Sequence, residues 1–364
     1  MAYSITPTAV FMLTEGLDLG DQFCVSCRID GQGQIVGRDR IKTTAEALHA
    51  HFAAGPCRRV VLEASTHSLW IGRLIEGLGH QLIVANPRHV HLIANNQCKN
   101  DHNDAELLAR LGRADPALLS PVTPRSERQQ NDLSLIRLRD SLIRARTKLI
   151  NSQRSIAKSA GAKLPACSAD SFHRKMTAVA VPAVVWAVLE PGIKAVETLS
   201  QQIKVCDRAL DTICRERYPQ ALRLQQIPGV GPVVALAFVL TVGDPARFSR
   251  SREVAPFFGL VPRQQQSGEH DPQLSITKCG NTYMRCLLVN AAQRILQKAT
   301  PDCDLKRHGL QIYQAQGQTR IAKRKAVVAV ARKLAVVMHR VWVSGEAYRL
   351  FREVVAAEAT ATAM

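Results

Sequence analysis

Lys99-Asn100-Asp101-His102-Asn103-Asp104-Ala105 opens an apolar helix, and the fold turns on how this stretch is read. Asp101 and Asp104 stand one helical turn apart, so both carboxylates project from one face. Two more acids lie upstream where strands are predicted to end: Asp18 in Gly16-Leu17-Asp18-Leu19-Gly20, and Glu63 after Val60-Val61-Leu62. Four carboxylates from two strand ends and a helix start are hard oxygen ligands suited to magnesium in phosphodiester chemistry. The pattern predicts a metal-dependent enzyme acting on nucleic acid. His102 turns away from the face shared by the two helix acids, and His67 reads as structural.

Outward from that stretch, the first 120 residues alternate as α/β. Val10–Leu19, Gln22–Ile29 and Gln34–Asp39 are predicted as successive strands, with Gly31 and Gly33 in a hairpin turn. A helix over Thr44–Ala53 comes next, then the strand Arg59–Glu63, the helix Leu69–Gly77 and the strand Gln81–Ala85, halted by Asn86-Pro87. The helix beginning near Asp104 is expected to bury Leu107, Leu108 and Leu111. Three hairpin-connected strands followed by alternating helices and strands match an RNase H-like fold.

Ser120-Pro121-Val122-Thr123-Pro124 marks a boundary. Beyond it Leu135, Leu138, Leu142, Ala145 and Leu149 repeat at spacings of three and four, a heptad seam flanked by arginines. A second seam runs through Val196, Leu199, Ile203, Cys206, Leu210 and Ile213. The two helices predict an antiparallel hairpin, a dimer coil, or both. Ile227-Pro228-Gly229-Val230-Gly231-Pro232 then reads as the turn of a helix–hairpin–helix element, with Gly229 and Gly231 bringing backbone N–H groups towards a phosphate. Ile321–Trp342 predicts a basic amphipathic helix with the core stripe Val327, Val330, Leu334, Val337 and Val341.

Composition sets the outer limits. The chain has 364 residues and a formal net charge of +18, which point to two or three domains and a polyanionic partner. Every hydrophobic stretch is interrupted by Lys, Arg or Glu before reaching the length of a membrane span. The start, MAYSITPTAV, has no charged region before its apolar residues, so a secretion signal is not expected, and the chain is placed in the cytoplasm, associated with the nucleoid. The ten cysteines then read as buried small hydrophobes, and Cys24-Val25-Ser26-Cys27, a lone pair within a predicted strand, does not suggest zinc.

A second chemical stretch lies late in the chain. Phe258-Gly259-Leu260-Val261-Pro262-Arg263 leads to Ser267-Gly268, followed by Ser275-Ile276-Thr277-Lys278-Cys279-Gly280-Asn281 and Met284-Arg285. A serine before glycine can present its hydroxyl on a tight loop, with Arg263, Lys278 and Arg285 available to neutralise a phosphate. Ser275 is the lesser candidate.

Taken in order, these features resemble the DEDD-type transposases of bacterial insertion sequences, the bridge-RNA-guided serine recombinases. The resemblance extends from about Gly16 to Trp342. It implies an RNase H-like (RuvC-type) domain at 10–120, a helical coiled-coil spacer at 125–218, a mainly α transposase domain with the helix–hairpin–helix element at 222–345, and a tail at 346–364. By the same resemblance, Asp18, Glu63, Asp101 and Asp104 are the acidic ligands of Mg2+, or of Mn2+ in its place, and Ser267 is the nucleophile. The implied partners are donor and target DNA, an element-encoded noncoding guide RNA, and further copies of the chain as a dimer or tetramer. The sequence departs from the usual pattern at Asn100, where threonine is common, at Asp21, where lysine is frequent, and in Glu269–Leu274, which lacks the usual glycines. Two other readings compete: a structure-specific nuclease using only the acids, and an architectural nucleic-acid-binding protein, which leaves the four acids unexplained.

Overall fold

In the computed structural model, residues 13–93, 100–176, 179, 181–267, 272 and 274–351 are described. The first three residues of the expected opening strand, Lys99, Gly268 and the tail from 352 lie outside them. The chain divides into two compact units, Ala2–Ser126 and Glu127–Met364.

The N-terminal unit runs β1 (Leu13–Leu19), β2 (Phe23–Asp30), β3 (Ile35–Lys42), α1 (Ala45–Ala53), β4 (Arg59–Glu63), α2 (Ser68–Gly77), β5 (Gln81–Ala85), α3 (Pro87–Ile93) and α4 (Asp101–Ala114). Its mixed sheet has the order β3-β2-β1-β4-β5, antiparallel among the first three strands and parallel from β1 to β4 to β5. This is the arrangement expected for an RNase H-like domain.

Strand residues alternate between faces, and that alternation sorts this unit into layers. Leu17, Val60 and Leu62 pack with Leu48 and Phe52 of α1 and with Ile71 and Ile75 of α2. On the opposite face, Val61, Ile83 and Ala85 meet Leu108 of α4, while Val25, Cys27 and Ile29 meet its Ala105 and Ala109. Cys24 and Cys27 therefore belong to opposite faces of β2, which separates the two thiols of the CxxC pair. Helix α4 starts at Asp101 rather than near Asp104, because the Asn100 side chain accepts from His102 N at 3.1 Å and caps it. Leu108 is buried as expected; Leu107 and Leu111 are only half-buried, and small residues occupy the closest contact with the sheet.

That contact is made through glycine. A Cβ on Gly16 would lie 2.0 Å from Ala105 O and 2.5 Å from Ala109 N, so β1 and α4 touch backbone to backbone.

The other face of β1 holds a buried ionic group. Glu15 is fully buried and is held by Arg58 Nε at 2.5 Å and His51 Nε2 at 2.6 Å. The Arg58 guanidinium also donates to the carbonyls of Ala54 and His51. Burial alone would raise the Glu15 carboxyl, but His51 and Arg58 outweigh it and hold it below its ordinary value. Arg58→Met is expected to leave that charge unpaired at a cost of about 3–5 kcal/mol, read as a lower urea midpoint of the full chain. The stabilisation from a depressed carboxyl is present above pH 4.5 and is lost as pH falls through the lowered value, so acid should narrow the gap between variant and wild type.

The C-terminal unit begins with two long helices, α5 (Glu127–Ser159) and, after α6 (Phe172–Met176), α7 (Ala183–Arg217). Beyond them are α8 (Pro219–Leu224), α9 (Pro232–Val242), α10 (Val254–Phe257), α11 (Thr282–Ile295), α12 (Asp304–Ala315) and α13 (Arg320–Ser344). The seam expected on α7 is present: Val196, Ile203, Cys206 and Leu210 are buried. The seam expected on α5 is displaced. Leu138 is 53% exposed, and the buried stripe runs through Leu133, Ile136, Arg146, Ile150 and Gln153. Arg146 is accommodated in that stripe by partners: its Nη1 meets Asp170 at 2.5 Å and Ser200 Oγ at 3.2 Å. One core joins Leu133, Ile136 and Leu210 of the long helices to α8–α13, including all five residues of the α13 stripe. Among the described residues, no helix is long and apolar enough to cross a membrane.

Candidate functional site

The strand register brings two of the predicted acids together. Gly16 pairs with Val61 and Leu17 with Leu62, so Asp18 and Glu63 are the next neighbours along β1 and β4. Adjacent strands lie about 4.8 Å apart, and both residues share the face that α4 covers. Helix α4 runs antiparallel to β1, with Gly112 near Val61 and Asp101 and Asp104 in the turn that lies by Asp18. The sequence spacing thus becomes one cluster of four carboxylates.

Its electrostatics are unbalanced. Asp18 is pushed up to about 6, first by burial and then by the negative charges of Asp101, Asp104 and Glu63, against a single lowering bond from the Leu19 backbone. Asp101 and Asp104 themselves sit in the first turn of α4, where the helix N-terminus favours anions. Among the described residues, no three or more carboxylate, thiol or imidazole groups stand close enough to hold a metal ion as they are. What the four acids share is a crowded negative charge around Asp18.

Asp21, the unexpected acid near Asp18, leaves this cluster. Its side chain is 98% exposed and meets His67 Nε2 at 3.0 Å.

In the C-terminal unit, Ser267 lies on a hairpin arm. Pro262 and Ile276 form an antiparallel bridge at its base, with Arg263 N donating to Ser275 O at 3.0 Å and Thr277 N to Val261 O at 2.9 Å. Ser267, Arg263 and Lys278 are exposed. Arg285 differs from expectation: it is nearly buried, and its Nη1 donates to the carbonyls of Phe258 at 3.1 Å and Cys279 at 2.9 Å. Arg285 therefore clamps the loop from inside, and its guanidinium is not presented to a phosphate. Nothing in the linear motif distinguishes such a clamp from a phosphate ligand.

Much of the surrounding motif is architectural in the same way. Gly280 has φ +79°, and a Cβ there would lie 2.0 Å from Phe257 O. Gly280→Ala is expected to cost about 3 kcal/mol or more and to free the base of the Ser267 arm, read as a lower thermal midpoint and faster proteolysis at 263–278. Gly229 also has a packing reason to be glycine. It has φ +81°, and its missing side chain makes room for α11, since a Cβ there would lie 2.8 Å from Ala291 O. Gly231, by contrast, faces open space at the start of α9.

Sequence reading also missed a groove of about 990 Å³ along α13. Arg252, Arg324, Lys325, Arg332 and Lys333 line it, with no carboxylate among the described residues, over a floor that includes Leu260, Ile276 and Val336, and Ser275 opens onto it. Alternation of cations and valines in α13 was the available signal, but the opposing wall comes from distant loops.

Comparison with known proteins places these features in context. A family model described as the transposase IS116/IS110/IS902 family matches residues 221–306, and a DEDD-type transposase model matches residues 15–160. The chain is 30% identical over 343 residues to the transposase for insertion sequence element IS1111A of Coxiella burnetii, covering 92% of this chain and 90% of that one. It is 29% identical to the transposase for insertion sequence element IS1328 of Yersinia enterocolitica, over 78% of this chain and 84% of that one. It is also 24% identical to the pilin gene-inverting protein of Moraxella lacunata, over 72% of each.

Proposed function

The chain belongs to the IS116/IS110/IS902 family of insertion-sequence transposases, and from that premise we propose that it cuts and rejoins DNA with Ser267 as nucleophile and the acidic cluster as its metal site. The observation that carries this reading is that the β1–β4 register and the first turn of α4 bring Glu63, Asp101 and Asp104 round Asp18, which is raised first by burial and then by their charges. Asp18, Glu63, Asp101 and Asp104 would hold Mg2+, with Mn2+ as a substitute, and a cation bound there supplies Lewis-acid polarisation of a phosphate oxygen. Asp101 and Asp104 come from the first turn of α4, and Asp18 and Glu63 from the C-terminal ends of β1 and β4.

Ser267 Oγ would attack the scissile phosphorus. A phosphoserine ester would form as the bond to the departing deoxyribose oxygen breaks, and the serine proton would pass by way of a general base to that oxygen. Arg263 and Lys278, both exposed, would offset charge on that phosphate, and the cationic groove on α13 would take the DNA backbone. An element-encoded noncoding RNA would supply target and donor recognition by base pairing. The long helices α5 and α7 would act as a spacer in a dimer or tetramer. The relative named for gene inversion supports rejoining as well as cutting.

The test combines the full chain with its flanking noncoding RNA, donor and target DNA, and Mg2+. A protease-sensitive protein–DNA adduct is expected. Cleavage without an adduct would instead favour the nuclease that uses only the acids.

A further inference from the structure

The parallel ladder between β1 and β4 closes at Leu17 and Leu62. Asp18 and Glu63 come immediately after it, on strand ends that their like charges push apart. The loops downstream of the two acids oppose that separation. Asp21 lies three residues beyond Asp18 in the β1–β2 turn, and His67 lies four beyond Glu63 at the start of α2.

These two residues meet across the gap. His67 Nε2 is 3.0 Å from Asp21 Oδ1, and Trp70 Nε1 donates to His67 Nδ1 at 3.1 Å. An indole N–H only donates, so Nδ1 is the acceptor and Nε2 carries the hydrogen given to Asp21. The imidazole is thereby fixed in one tautomer and one orientation.

Each loop is also fastened on its own side. Thr43 Oγ1 donates to Gly20 O at 2.8 Å and Thr43 N to Gln22 O at 3.0 Å, holding the β1–β2 turn. Ser68 Oγ donates to Ser65 O at 2.8 Å and accepts from Ser65 N at 3.1 Å, holding the β4–α2 loop. Movement between the two anchored loops is then opposed by the Asp21–His67 contact. With Asp21 98% exposed, the pair contributes little to overall stability.

We propose that Asp21, His67 and Trp70 form a latch that keeps the strand ends bearing Asp18 and Glu63 from separating, making His67 a positioning residue for the acidic site. The inference rests on the proposed metal site. Outer groups that orient metal ligands typically change affinity by about 10–100-fold.

The experiment measures Mn2+ binding to the full chain by the loss of the free-ion electron paramagnetic resonance signal at pH 7.5. His67→Ala and Asp21→Ala are each expected to weaken binding about tenfold, and the double variant to be no weaker than either. Asp21→Asn keeps an oxygen that accepts from Nε2 and should bind nearly as wild type does. If Asp21→Asn falls as far as Asp21→Ala, or the two alanine effects add, long-range charge explains the result and the latch is overturned. Unchanged affinity in His67→Ala overturns the latch alone. Absence of Mn2+ uptake by wild type, or full uptake by Asp104→Asn, overturns the metal reading and the latch with it.

Discussion

Asp18→Asn is expected to slow DNA cleavage by three orders of magnitude or more, equivalent to about 4 kcal/mol of transition-state stabilisation, while making the metal-free chain harder to melt. Both effects come from one carboxylate. In the folded protein Asp18 titrates at about 6, against 3.8 for an unperturbed group. A raised carboxyl destabilises the fold when ionised, so its penalty is absent below about pH 4, grows through the interval, and is complete above about pH 6. The variant's thermal midpoint should therefore exceed that of wild type at pH 8 and converge with it at pH 4. Saturating Mg2+ should shrink or reverse the difference, since the cation stabilises the chain that binds it. Equal midpoints at pH 8 without metal would show that the four charges are not crowded. Calorimetry in two buffers of different ionisation heat offers a second check, because metal uptake near pH 6 should release a proton.

Ser267→Ala should eliminate the covalent adduct and reduce strand exchange below detection, with little change in stability. The side chain is exposed on the hairpin arm, and removing an exposed hydroxyl stays within about 0.5 kcal/mol. Loss of the adduct with an unchanged melting curve therefore separates chemistry from folding. Ser275→Ala is the control. Its residue lies at the base of the same arm and lines the α13 groove, so it should weaken DNA binding at most a few-fold and retain the adduct. An adduct that persists in Ser267→Ala and disappears in Ser275→Ala would move the nucleophile to the base of the hairpin.

Features set by short-range pattern were legible in the sequence. Strand β4 and strand β5 fall where their apolar runs place them, and the acids at 18, 63, 101 and 104 do gather, because strand ends and helix starts are marked locally by glycine, charge and capping residues. Asn100 serves as a cap where threonine is usual, so that departure leaves the helix start intact. Features decided by distant partners were not legible. Leucine count favoured one stripe on α5, yet Arg146 and Gln153 occupy the buried one, and the Arg146 contacts depend on Asp170 and Ser200. Arg285 looked like a phosphate ligand because sequence shows its charge and hides the two carbonyls it binds. His67 reads as structural in the sequence, and its contact with Asp21 emerges only when the two loops are side by side.

The bare contact of Gly16 with Ala105 and Ala109 ties assembly of the acidic cluster to the seating of α4 on the sheet. A joint formed by two backbones acts as a mechanical stop: it cannot tighten, and it opens only when α4 lifts from the sheet as a whole. Side-chain repacking, which lets many cores adjust by small steps, has no purchase there. Amide exchange along α4 should consequently fail as a block, and the residues that pace it should be those whose loss also silences the chemistry.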